Sequence, residues 1–266
     1  MWLLSGIDLS SLGILLGGAA LAGWADAVIG GGGLILIPLL MSTLPHMAPV
    51  VILASNKVAA VSGTTSAAVV MVRRTRPPAL LLVRYASVAV VCSALGAFAA
   101  TLVNKNIMRP IIIVLLVAVG IFVMLRPQFG LQRADNIPGQ RSVRGILAVL
   151  AVGIIAGYDG IFGPGTGMFL IMAFTALLSQ DFLQSAAMAK VVNTATNFGA
   201  LVVFGIGGHI WWALGFSLAV ANILGAQLGA RTVLGGGAKL VRIALLCMVL
   251  VLAAYLSYEQ LAGNFQ

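Results

Sequence analysis

Four residues carry charge where the surrounding sequence is apolar. Lys57 and Lys190 each lie several residues inside an apolar run, and Asp26 and Asp159 lie inside two others. A charge at the centre of a bilayer costs about 2.5–3.5 kcal/mol on insertion scales, and where it is kept it marks a path for substrate, ion or proton. Ammonium groups suit an anion. Carboxylates can carry a proton or neutralise a lysine. The plainer alternatives are lysines that snorkel to an interface and aspartates that cap the helix that follows. Each aspartate precedes a glycine-rich break by a few residues: Gly30, Gly31, Gly32 and Gly33 after Asp26, and Gly163, Gly165 and Thr166 after Asp159.

Small polar residues gather around both lysines. Asn56, Ser62 and Thr64 accompany Lys57 in "ASNKVAAVSGTTS". Asn193, Thr194, Thr196 and Asn197 follow Lys190 in "AKVVNTATNFG". A helix sets Lys190, Asn193 and Asn197 on one face. These amides and hydroxyls are candidate donors to a bound anion. Tyr158, next to Asp159, is either a boundary anchor or a donor to a substrate oxygen.

The constellation occurs twice. At an offset of 133 residues Asp26 falls on Asp159, Gly30 on Gly163, Gly32 on Gly165, Lys57 on Lys190 and Arg109 on Arg242. No gap is needed between Asp26 and Arg109, which argues for a duplication filling the chain, with halves 1–133 and 134–266 of a single membrane domain. Irregular backbone at membrane depth survives only inside protein or beside a water-filled cavity. Transporters use such breaks to aim helix N-termini at anions. Close packing through small residues, as in Gly225-xxx-Gly229 or Gly13-xxx-Gly17, is the structural alternative.

The elements that hold these residues follow from composition. Only 8% of the 266 residues are charged and 61% are hydrophobic. A soluble domain carries about 25% charged residues, so the chain is expected to be an all-α polytopic membrane protein. Apolar runs lie at about 12–40, 50–71, 79–103, 107–125, 145–178, 185–206, 210–230 and 240–258, giving eight principal membrane segments. Runs 12–40 and 145–178 are too long for one span, and the glycines make them broken hairpins or paired short spans. The polar stretch from Arg126 to Arg144 links the halves. The start, "MWLLSGIDLS", lacks a basic signal-peptide opening, so the first run is expected to be retained.

Charge chooses the relation between halves. If each broken run crosses once, the halves are parallel, with eight Lys and Arg cytoplasmic against five outside. If each enters and returns, the halves are inverted and the count becomes eleven against two, with Lys57 and Lys190 left in the membrane. The positive-inside rule favours the inverted repeat, with both termini outside. The net charge of +9 is thus spent on orientation, and no nucleic acid is implied. Cys92 and Cys247 are single and distant, and His46 and His209 stand alone, so no disulfide, metal or cofactor site is expected. Neither glycine run is followed by Lys-Ser/Thr, and no HExxH and no GxSxG with suitable partners is present, so no enzyme is expected.

"ADAVIGGGGLILIPLL", "ASNKVAAVSGTTSA", "AGYDGIFGPGTGMFLI" and "AKVVNTATNFGALVVF", in that order, resemble the TauE/SafE family of sulfite and organosulfur-anion exporters, in its YfcA-like branch of inner-membrane proteins. The resemblance covers essentially the whole chain. Pro164 and Thr166 stand where the first half has Gly31 and Gly33, so the second motif is less glycine-rich. The resemblance implies transport of a small sulfur-containing anion such as sulfite, thiosulfate or a sulfonate across a bacterial inner membrane. The expectation is a secondary transporter with its site between the halves, protons as a candidate coupling ion and a homo-oligomer as a candidate assembly. An anion channel and a transport-free membrane scaffold or assembly factor are the rivals.

Overall fold

The computed structural model describes residues 7–125 and 141–235. Among these residues there are nine helices and no strands. They are α1 (Leu9–Ile29), α2 (Gly33–Thr43), α3 (Pro49–Thr75), α4 (Ala79–Leu102), α5 (Lys105–Leu125), α6 (Arg141–Ile161), α7 (Thr166–Leu178), α8 (Phe182–Ile206) and α9 (Trp212–Gly235). The last apolar run, 240–258, with Lys239, Arg242 and Cys247, lies outside the described residues, as does most of the linker from Arg126.

Five helices are long and apolar enough to cross a membrane: α1, α4, α8, α9 and residues Val143–Ile161 of α6. Helix α3 has 27 residues, but its Ser, Asn, Lys, Thr and Arg content keeps it out of that set. Each of the two broken runs resolves into a long and a short leg. A 21-residue helix is followed by 11 residues in the first run and by 13 in the second. At 1.5 Å per residue the long legs reach about 30 Å and the short legs about 16–20 Å. Gly30, at φ 80°, ends α1 in the left-handed region, and Gly163 and Gly165, at φ 97° and 79°, turn the chain after α6. Such φ values strain any residue with a Cβ.

Elsewhere the ends follow ordinary chemistry. The Asp181 carboxylate accepts from the Gln184 N–H at 2.8 Å and starts α8. Pro49 occupies the first turn of α3, where its missing N–H costs nothing.

Helix starts recur at one spacing. Gly33 and Thr166, Pro49 and Phe182, and Ala79 and Trp212 each lie 133 residues apart. Packing recurs with it. A Cβ on Gly229 of α9 would stand 2.5 Å from the Trp24 carbonyl of α1, and one on Gly96 of α4 would stand 2.1 Å from the Gly157 carbonyl of α6. Both members of the second contact lie 133 residues from those of the first. Thus α4 leaves the helices that precede it to pack on α6 and α8, while α9 returns to α1. Close approach is real at Gly225, whose Cβ would fall 1.8 Å from the Ala20 carbonyl, whereas Gly13 and Gly17 have nothing within 4 Å. Two apolar cores result. One is built mainly from α1, α2, α3, α5 and α9, the other from α4, α6, α7 and α8.

Candidate functional site

Lys57 is placed by the middle of α3 and is 2% exposed; Lys190, on α8, is 0% exposed. Neither lysine snorkels. The Lys57 ammonium donates to Asp159 Oδ2 at 2.8 Å and to the Asp159 backbone carbonyl at 2.7 Å. The Lys190 ammonium donates to Asp26 Oδ2 at 2.9 Å and also to the Asp26 backbone carbonyl. The pairing is crossed: each lysine meets the aspartate from the other half of the sequence. Because α3 packs along α8, the two pairs flank one helix–helix contact.

Each ammonium does two jobs. It neutralises a carboxylate, and it donates to a backbone carbonyl near the end of α1 or α6; the Asp26 carbonyl accepts from the Gly30 N–H at 2.7 Å as well. Gly163 makes room for this, since a Cβ there would stand 3.1 Å from both Asp159 Oδ1 and Lys57 Nζ. Neither aspartate is the N-cap residue of a short leg. The N-caps of α2 and α7 are Gly32 and Gly165, and neither makes a side-chain cap bond. Asp26 Oδ1 has only a long 3.4 Å contact from the Gly32 N–H. Asp159 Oδ1 instead accepts from the Thr166 hydroxyl at 2.7 Å.

The two breaks lie against one another. A Cβ on Gly30 would stand 2.3 Å from the Gly167 carbonyl carbon and 2.4 Å from the Met168 nitrogen. Gly33 faces Pro164, with 3.4 Å to its Cα. The first turn of α7 is therefore met by Gly30 at backbone distance, which only glycine on both sides allows. Gly31 and Gly32 are buried between these contacts.

The remaining candidates divide. Asn56 is 6% exposed and its amide has no hydrogen-bond partner among the described residues. Asn193 accepts from Asn197 Nδ2 and Thr196 Oγ1 through its side-chain oxygen, at 3.2 and 3.3 Å. The Thr64 and Thr194 hydroxyls donate to the carbonyls of Ala60 and Lys190 on their own helices, at 2.7 and 2.9 Å. Tyr158 donates to the Pro164 carbonyl at 2.8 Å and so braces the second break.

Some structural polar contacts were not singled out from sequence. Ser93 of α4 donates to the Thr196 carbonyl at 2.6 Å, Asn222 of α9 to the Ala19 carbonyl at 3.0 Å, and Gln227 to Ser66 Oγ at 2.7 Å. Their signal was a lone polar residue inside an apolar run, which says that a partner exists but not where. Among the described residues no cluster of His, Cys, Asp and Glu could hold a metal ion.

A family model described as "Sulfite exporter TauE/SafE" matches residues 15–256. The chain belongs to the TauE/SafE family. It is 35% identical over 249 residues to the "Probable membrane transporter protein YfcA" of Escherichia coli K12, covering 93% of this chain and 90% of that one. It is 34% identical over 256 residues to a "Probable membrane transporter protein" of Haemophilus influenzae, covering 96% and 97%. A "Probable membrane transporter protein ORF9" of a Sinorhizobium species is 32% identical over 243 residues. No solved structure matches the chain. TauE/SafE membership and the five apolar helices make this a multi-pass membrane transporter, with a small substrate and with lipid as its surroundings.

Proposed function

We propose that this TauE/SafE protein is a secondary transporter of a small sulfur-containing anion, sulfite, thiosulfate or a sulfonate, in a bacterial inner membrane. The carrying observation is the crossed pairing of Lys57 with Asp159 and Lys190 with Asp26 beside two touching glycine breaks. Two ammonium groups at the junction of the halves are the natural seat of an anion. The Asn56 amide, without a partner among the described residues, is a donor ready for it, and Asn193 and Asn197 add further amides. Thr64, Thr194 and Thr166 join by rotating away from their present acceptors. The N–H groups at the start of α2 and α7 face the anion once Gly30 and Gly167 part.

In this mechanism the halves form an inverted repeat, 1–133 and 134–266, and rock against each other about the α3–α8 contact. Support comes from the shared 133-residue spacing of helix starts and from the exchange of α4 and α9. Both termini lie outside the cytoplasm. An anion arriving at one side competes with an aspartate for its lysine. Opening one cross-half pair loosens one end of the junction while the other pair keeps the halves joined.

The test is a proteoliposome flux screen of sulfite, thiosulfate, a sulfonate and sulfate, with and without a pH gradient. Lys57→Ala and Lys190→Ala, checked for folding by size-exclusion profile, are expected to lose flux of the transported anion. Undiminished flux in both variants would reject the site.

A further inference from the structure

The two ion pairs are unequal, and the inequality assigns them different work. Asp159 is 2% exposed, with both oxygens engaged: Oδ2 by Lys57 at 2.8 Å and Oδ1 by the Thr166 hydroxyl at 2.7 Å. Asp26 is 16% exposed, and its Oδ1 has only the long 3.4 Å contact with the Gly32 N–H. The residue 133 positions before Thr166 is Gly33, so the first half has no hydroxyl to give. Intramembrane carboxylates face protein or water-filled space, so of the two aspartates the more exposed Asp26 reads as the water-accessible one.

Among the described residues, Asp26 has one charged partner, Lys190. Helices α2 and α7 contain no ionisable residue, and α8 contains only Lys190. On α3, Lys57 is held by Asp159, and Arg73 and Arg74 lie in the last turn. On α9, Arg231 is exposed.

Resting on the transport reading above, we infer that Asp26 is the exchangeable carboxylate and that Asp159–Lys57 is a fixed positioning pair. The substrate anion takes the Lys190 ammonium in place of Asp26 Oδ2, and Asp26 accepts one proton from the aqueous side. The charge balances. Ammonium and carboxylate sum to zero before binding; ammonium, bound monoanion and neutral carboxylic acid sum to zero after it. One proton therefore accompanies each monoanion, and Asp26 carries it.

Two measurements test this. The first needs no substrate: dicyclohexylcarbodiimide, which adds to protonated carboxyls in apolar sites, is applied to the detergent-solubilised full chain and its adducts are mapped by mass spectrometry. Asp26 is expected to react roughly ten-fold faster than Asp159, the ratio that one charge-assisted hydrogen bond supplies. Thr166→Val is expected to bring Asp159 towards the rate of Asp26. Equal rates in the wild type, or faster reaction at Asp159, would overturn the assignment.

The second is flux of the transported anion in proteoliposomes. Asp26→Asn is expected to abolish stimulation by a proton gradient. Gradient stimulation that survives in Asp26→Asn would overturn the proposal. If the wild type moves none of the sulfur anions, the transport reading falls, and the labelling result still decides which carboxyl is exchangeable.

Discussion

The crossed pairing can be measured as an energy. Lys57→Met removes an ammonium that holds two oxygens of Asp159, at 2.7 and 2.8 Å, between residues that are both 2% exposed. The abandoned carboxylate keeps only Thr166, and an unpaired buried charge of this kind costs about 3–5 kcal/mol. Asp159→Asn strands the ammonium in the same way at a similar cost. In the double variant both charges are gone, and the remaining loss is about 1–2 kcal/mol of hydrogen bonding. The coupling energy of the cycle is therefore about 4 kcal/mol or more. The within-half control, Lys57→Met with Asp26→Asn, joins residues that are not hydrogen-bonded to each other, and its coupling should stay below about 1 kcal/mol. The assay is equilibrium unfolding in mixed micelles, read by far-ultraviolet circular dichroism. A within-half coupling equal to or larger than the cross-half value would refute the crossed arrangement and the gating argument with it.

Two further outcomes are expected. Gly225→Ala drives a methyl to 1.8 Å of the Ala20 carbonyl and should cost about 1–3 kcal/mol or the folded yield, while Gly13→Ala, with nothing within 4 Å, should leave the melting temperature unchanged or raised. Tyr158→Phe loses the 2.8 Å bond to the Pro164 carbonyl and should cost about 1 kcal/mol of stability, with anion flux retained.

Much of this was legible in the sequence. The apolar runs mark the helices, and the glycines mark the breaks because each costs an interior helix about 1 kcal/mol relative to alanine. Asp26, Asp159, Lys57 and Lys190 stood out because charge is costly in lipid. The pairing was not legible. Spacing along a helix says which residues share its face, but nothing in it says which of two lysines meets which of two aspartates. That depends on how α3 and α8 lie against the ends of α1 and α6. The unequal legs were hidden for a related reason: an apolar run shows its total length, while the turn position depends on where a positive φ falls, here Gly30 and Gly163. Asn222 and Ser93 were visible only as polar residues in apolar helices, since their acceptors, the carbonyls of Ala19 and Thr196, belong to other elements. The difference between Thr166 and Gly33 was plain in the sequence, but its meaning needed Asp159 Oδ1 beside the hydroxyl.

The exchange of α4 and α9 also sets a schedule for making the protein. Helix α1 begins at Leu9, while α9, whose Gly225 and Gly229 seat against Ala20 and Trp24, begins at Trp212. A ribosome adding about 5–20 residues per second needs roughly 10–40 s to cover that distance. During that interval α1 sits in the bilayer with the groove at Gly23 unfilled. The core built on α1, α2, α3 and α5 also takes in α9, the last helix described. Until α9 is made, the face of α1 around Ala20, Gly23 and Trp24 meets lipid instead of protein.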